Sequence, residues 1–294
     1  METNKTINNA KLLVLAKSEP KISLKQHIDD CLHICCQLKD ALPDITVRYG
    51  IEFWKALRTA IILHDTGKSH IEFQKYLLGK KNEWYHQRHE MFSVYFAQHS
   101  DSKDILGSGG LLAILGHHKS LKDLYDFVDK NYTKDEWCLE DDGLDYNDEC
   151  KKLNSLFVWN LMKQYDIEQK AHCSIDLKTI IKSYIRNAKG LQHEKTIENI
   201  LLVGALKQCD HLASAGIQKI SCIDSSNFAF LDRITFYEHQ KLVGDKVGNV
   251  ILTAPTGTGK TEAALNWLKK QIHSRGKGRA VSYTHLTLPT IYSV

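Results

Sequence analysis

The chain lacks any run of about 18 consecutive apolar residues and carries no signal peptide, so neither a membrane-spanning helix nor a secretory leader is expected. A cytoplasmic protein with no membrane partner follows as the expectation, with its thiols reduced. None of the eight cysteines pairs as CxxC. Charge of either sign is nearly balanced: the net value of +4 neither demands nor excludes a nucleic-acid partner. Internal repeats and low-complexity segments are absent, and before residue 216 so is almost all strand-like alternation.

Histidine, by contrast, is abundant. The chain has 15 among 294 residues, about twice a usual share, and imidazole is the commonest protein metal ligand. With 43% apolar and 25% charged residues, the length suits one or two globular domains.

From about residue 23 to 215 the apolar residues return every three or four positions, as on amphipathic helices. Ser23 stands where it can cap the first, "LKQHIDDCLHICCQLKDAL". The stretches "IEFWKALRTAIILHDTGK", "HEMFSVYFAQHS", "GGLLAILGHHKSLKDLYDFV", "NSLFVWNLMKQY", "LKTIIKSYIRNAK" and "TIENILLVGALKQCDHLASA" continue the pattern, which implies an all-helical domain. The cluster "CLHICC" could bind zinc, but its helical spacing beside Leu32, Ile34 and Leu38 favours buried core thiols. Between 134 and 150, "KDEWCLEDDGLDYNDEC" carries eight acids without calcium-loop spacing and is expected to be a solvated loop.

After about residue 216 the texture changes. "SCIDSSNFAF" has the composition of a linker, and "GNVILTAPTGTGKTEAALNWLKKQI" suggests a short strand, a Gly-rich turn and a helix. "APTGTGKT" fits the Walker A pattern. There Gly257 and Gly259 would let backbone N–H groups wrap phosphates, Lys260 would reach the β and γ oxygens, and Thr261 could hold magnesium. The α/β P-loop fragment would therefore bind ATP with magnesium.

Histidines and carboxylates recur at or inside the helices of the first region: His27, His64 with Asp65, His89, His117 with His118, and Asp210. Such ligands suit divalent transition metals, and a carboxylate can bridge two ions. Adjacent residues on a helix diverge by about 100°. His64 and Asp65 therefore cannot face one point in the same way, yet Asp65 could lie between two ions. His33 rivals His27, His86 rivals His89, and Asp210 could instead pair with Lys207. His211 is expected to be an ordinary neighbour, and Ser214 a packing residue or a support to the site. His70, His99, His172, His193, His239, His273 and His285 have no motif around them and are expected to be surface or structural.

In this order the motifs resemble the HD phosphohydrolase superfamily, and more narrowly the HD nuclease domain of the type I CRISPR-associated nuclease-helicases. "LHDTGK" is similar to that family's HD motif, "RHEMFS" to its third motif, "ILGHHK" to its paired-histidine motif and "CDHLAS" to the helix of its last acidic ligand. The resemblance implies one ion held by His27, His64, Asp65 and Asp210, and a second by Asp65, His89, His117 and His118. It makes His64, Asp65 and Lys68 the catalytic group, with Lys68 steadying a phosphate oxygen. It does not choose between one ion and two, or among manganese, iron, cobalt, nickel and magnesium. "FYEHQ" resembles the adenine-reading glutamine motif of superfamily 2 helicases, with Gln240 as its reader.

The architecture implied is mainly α: an HD-type nuclease bundle over 1–216, a linker over 217–235, and an incomplete RecA-like helicase domain over 236–294. Single-stranded DNA and the RNA-guided surveillance complex are the implied partners, and a monomer is expected. No Asp-Glu-x-His or Asp-Glu-x-Asp stretch follows Thr261, so neither unwinding nor appreciable ATP hydrolysis is expected of this chain. "VSYTHL", residues 281–286, is what results from translating the transposon end used to tag sequencing libraries. We therefore expect 281–294 to be an artefactual tail, although "LPT" at 288–290 matches a segment the family places there. The alternatives are an HD phosphohydrolase acting on nucleotides or cyclic nucleotides, and an ATP-dependent adaptor with a degenerate HD fold.

Overall fold

In the computed structural model of the protein the described residues are 13–85, 87–131, 145–170, 175–187, 193–220 and 225–275. His86, His172, Cys138, Cys173, Cys222, most of the acidic stretch and the 281–294 tail lie outside them. The chain divides into two compact units, Met1–Lys219 and Ile220–Val294.

The first unit is helical. Its elements are α1 (Leu24–Ala41), α2 (Pro43–Leu63), α3 (Ile71–Leu77), α4 (His89–Gln98), α5 (Lys103–Gly116), α6 (Leu121–Asn131), α7 (Tyr146–Cys150), α8 (Ser155–Met162), α9 (Leu177–Asn187) and α10 (His193–Ser214). A two-stranded antiparallel ribbon, β1 (Leu15–Lys17) with β2 (Ile22–Ser23), precedes α1. Its strands are too short to show as alternation in the sequence. Ser23 does cap α1, its hydroxyl accepting from the Gln26 amide at 3.1 Å.

α2 and α5 pack on each other, and α10 lies against α1, α2 and α5. Ile28, Phe53, Leu57, Ile61 and Ile114 of these helices, and Phe92 and Phe96 of α4, are removed from solvent. Burying each such side chain contributes about 1.5–3 kcal/mol before the entropy of ordering it is counted. α2 starts earlier than its apolar pattern, at Pro43, and bends at Gly50, whose φ of 73° only glycine adopts without strain. The long stretch from Gly109 to Val128 divides into α5 and α6, because the helix ends at the paired histidines.

Two expectations need correction. The described end of the acidic stretch is not a solvated loop: Asp145 caps α7, and Tyr146, Glu149 and Cys150 of that helix are buried. Glu149 accepts from Gln87 at 2.8 Å and Lys152 at 2.8 Å, which satisfies its charge inside the fold. The "CLHICC" thiols are not uniformly core either, since Cys31 and Cys35 are buried and Cys36 is exposed.

The second unit holds a 3-10 helix (Ser225–Arg233), α11 (Glu238–Gly244) and α12 (Lys260–Arg275). Residues 225–233 are therefore not an extended linker. Phe228 and Leu231 pack against Ile272, with Phe236, Leu265 and Leu268 around them. The expected strand before the Gly-rich turn does not form: residues 249–255 have no strand pairing, and Ile251 is 96% exposed. A strand of a parallel sheet needs a neighbour to take its hydrogen bonds. No other strand exists among the described residues of this unit, so the α/β character anticipated for it is not observed.

Candidate metal centre

The seven candidate ligands come together at the ends of four helices and in the turn after α2. His27 stands in the first turn of α1, and His64 immediately follows α2 as its C-cap. His89 opens α4, His117 caps α5 with His118 next, and Asp210 lies in the last turn of α10. The helix breaks between His64 and Asp65, where φ changes from −58° to −108° and ψ from −34° to 5°. That break removes the 100° divergence and lets both side chains face one cavity.

Asp65 is the hub. It is 1% exposed, and its two oxygens look to different sides. Oδ2 lies 3.2 Å from His27 Nε2 and 3.5 Å from His64 Nε2, whereas Oδ1 lies 3.1 Å from His89 Nε2 and 3.9 Å from His117 Nε2. Asp210 Oδ1 is 3.2 Å from His27 Nε2. Two ligand groups result: His27, Cys31, His64 and Asp210, and beside it Asp65, His89, His117 and His118, with the donor atoms of each group within 4.8 Å of one another.

The chemistry of these atoms fits divalent ions. His64 Nδ1 donates to the Ile61 carbonyl at 2.7 Å and His117 Nδ1 to the Ile114 carbonyl at 2.6 Å. A carbonyl only accepts, so Nδ1 carries the proton and Nε2 presents a lone pair to the cavity. His64 Nε2, His89 Nε2, His117 Nε2 and Asp65 Oδ1 are buried and make no hydrogen bond of acceptable geometry. The buried lone pairs of His64 Nε2, His117 Nε2 and Asp65 Oδ1 repel one another unless a cation lies among them.

Ionisation follows the same logic. Burial opposes the charged form of His27, but hydrogen bonds to Asp210 and Asp65 outweigh it and push its pKa up to about 12. A proton thus bridges the two carboxylates when no other cation does. Burial also opposes the charge on Asp65, but His64, Lys68 and His27 hold its carboxyl well below the usual range. Burial pushes the His64 and His117 imidazoles down and His118 down to about 4, which keeps all three neutral and able to donate lone pairs. Lys68 Nζ donates to Asp65 Oδ2 at 2.7 Å.

Close packing fixes the turn. A side chain at Gly67 would bring its Cβ to 2.0 Å from the His89 carbonyl oxygen and 2.7 Å from the Ser93 amide. Instead, the bare Gly67 N–H donates to Ser93 Oγ at 2.9 Å, and that hydroxyl donates to the His64 carbonyl at 2.5 Å. The glycine after the His-Asp pair is therefore what lets α4 bring His89 alongside.

Among the rival residues, His33 is exposed beside the Gln218 carbonyl, and His211 is exposed. Asp210 faces His27. Ser214 donates to Asp210 Oδ1 at 3.2 Å, so it does more than pack. His70, fully buried, caps α3 by accepting from the Glu72 amide, and burial pushes its pKa down to about 4. The reading from sequence missed Cys31 and Ser93 as neighbours of ligands. Both follow a ligand by four residues, as Ser214 does, and so share its helix face.

In the second unit, Gly257 and Gly259 adopt φ of 81° and 75°, and a side chain at Gly259 would meet Gln240 Nε2 at 2.2 Å. Lys260 Nζ donates to the Ala254 and Pro255 carbonyls at 2.8 and 2.7 Å, and Thr261 opens α12 behind it. Gln240 does not face an open cavity. Its Nε2 donates to the Gly259 carbonyl at 2.9 Å and its Oε1 accepts from the Tyr237 amide at 2.8 Å.

Comparison with known proteins gives one informative similarity. The chain is 25% identical, over 81% of its length, to the CRISPR-associated nuclease/helicase Cas3 of Methanothermobacter thermautotrophicus. The aligned part covers 33% of that protein, so the chain spans about a third of the length of the curated relative it matches. The resemblance suggested by four ordered motifs is thus present along most of the sequence. No family model matches the chain, and no solved structure matches it. No helix among the described residues is long and apolar enough to cross a membrane.

Proposed function

We propose that this chain is a metal-dependent phosphodiesterase of the HD kind, cutting single-stranded DNA in CRISPR interference and joined to the beginning of a superfamily 2 helicase module. The observation that carries the reading is Asp65, buried with Oδ2 toward His27 and His64 and Oδ1 toward His89 and His117, where His64 Nε2, His89 Nε2, His117 Nε2 and its own Oδ1 have no hydrogen-bond partner. The similarity to a CRISPR-associated nuclease/helicase supports the assignment to DNA.

His27, His64, Asp65 and Asp210 would hold one ion and Asp65, His89, His117 and His118 a second. Bound there, divalent ions supply Lewis acidity, which acidifies a water and neutralises charge on a phosphate. The chain's own residues do the rest. Ile61 and Ile114 carbonyls fix the tautomers of His64 and His117. Lys68, 14% exposed and 2.7 Å from Asp65, stands at the rim, where its ammonium can pass from the carboxylate to a phosphate oxygen. Burial of His27, His64, Asp65, His117 and Asp210 keeps bulk water from them and strengthens the charge interactions among them. A flexible single strand can bring its phosphate to a recessed centre that a rigid duplex cannot enter.

Gln240, Gly257, Gly259, Lys260 and Thr261 would form the ATP-magnesium site of a helicase module.

The test is cleavage of circular single-stranded DNA, duplex DNA and free or cyclic nucleotides, with each of manganese, iron, cobalt, nickel and magnesium. Metal-dependent cutting of the single strand, absent in Asp65→Ala, is the expected result. Turnover of nucleotides with intact DNA would establish the nucleotide hydrolase instead, and no metal-dependent turnover of any substrate would favour the adaptor.

A further inference from the structure

We infer that Cys31 is a sulfur ligand in the His27 group, so that one of the two ion positions is a mixed imidazole, carboxylate and thiolate site. The inference rests on the metal-centre reading above and deepens it, since the seven ligands implied by family resemblance include no cysteine.

Cys31 follows His27 by one helical turn on α1 and shares its face. It is fully buried, its Sγ lies 3.7 Å from His27 Nε2, and it falls with His64 and Asp210 in one set of donor atoms within 4.8 Å. A second observation points to a ligand at this spot: His64 Nε2, also fully buried, faces the same group without a hydrogen-bond partner. The neighbouring thiols are engaged elsewhere or turned outward. Cys35 hydrogen-bonds with Cys209, and Cys36 is exposed.

With Asp65 shared from the neighbouring group, two imidazoles, two carboxylates and a thiolate make a five-ligand set that suits zinc, cobalt or iron(II). Manganese and magnesium prefer oxygen, so the sulfur biases this position against them. On binding, Sγ gives up its proton to solvent and coordinates as the thiolate.

The full chain, loaded with cobalt(II), provides the test. Wild-type protein should show a sulfur-to-cobalt charge-transfer band in the near ultraviolet. Cys31→Ser should still bind cobalt but lose the band, with its preference for zinc over manganese reduced by about tenfold or more. Cys35→Ser and Cys36→Ser should keep the band. X-ray absorption on zinc-loaded wild type needs no variant and should find a sulfur scatterer at about 2.3 Å. Cobalt bound with no such band, or a band that survives in Cys31→Ser, overturns the inference and leaves the metal centre standing. Failure of wild type to bind any cobalt overturns both.

Discussion

The two units handle their polar atoms in opposite ways. In the first, imidazole and carboxylate groups converge in the interior, where His64 Nε2, His89 Nε2, His117 Nε2 and Asp65 Oδ1 are left without partners. In the second, the lysine and the glutamine of the candidate phosphate site are occupied by carbonyls of their own loop. A centre built from helix ends is complete inside one bundle, since each helix satisfies its own backbone and needs only packing to fix its ends. A phosphate loop built after a strand depends on neighbouring strands, and among the described residues this chain supplies none. The proposed chemistry rests on the first unit.

The largest test of that contrast is Asp65→Ala. Removing the shared carboxylate should strip both positions and lower cleavage by more than about a hundredfold. Metal stoichiometry on the purified variant and single-strand cleavage check it. Next comes Gly67→Ala. Its new methyl cannot stand 2.0 Å from the His89 carbonyl, so α4 must shift and carry His89 away. A loss of about 1–3 kcal/mol in denaturant unfolding is expected, with metal affinity down by about 10- to 100-fold.

Acidity sharpens the same comparison. His27, with its pKa raised to about 12, is protonated in the metal-free protein at neutral pH, so an ion that binds in the His27 group must displace that proton. Metal affinity should therefore rise as pH rises, by about tenfold per pH unit for one displaced proton. Calorimetry in buffers of different ionisation heat reads the proton directly. The sign for the metal-free fold is the reverse. His27 gains on folding, so its stabilising contribution is full below its unfolded value near 6.5 and fades as pH climbs toward about 12. Asp65 and Asp210 have lowered values, and their contribution fades as pH falls toward the acid range.

Smaller effects come last. Ser214→Ala removes one hydrogen bond from Asp210 and should cost about tenfold in metal affinity, with the fold intact by thermal melting. Lys260→Ala should leave single-strand cleavage unchanged, because the lysine is bound to its own loop in the other unit. A large fall there would dissolve the distinction between the units.

The helices of the first unit and the convergence of its candidate ligands were legible because both leave local marks. Helix periodicity is written every three or four residues, and a metal ligand must be one of a few residue types. What escaped notice depends on encounters between distant segments. Gly67 matters for the approach of α4, which no residue near it announces. Cys31 looked like core because it repeats with Ile34 and Leu38, and only the arrival of α2 and α10 places His64 and Asp210 beside it. The strand expected before the Gly-rich turn failed for a related reason: a short apolar run becomes a strand only when a partner edge receives it.

Were both proposed positions to hold an ion, they would share Asp65 and so would not fill independently. A cation drawn to Oδ1 withdraws electron density from Oδ2 and adds repulsion across the carboxylate, so the later arrival is held more loosely than the first. Under scarcity, half-loaded molecules would then predominate, and the supply of metal would set how much of the population can act.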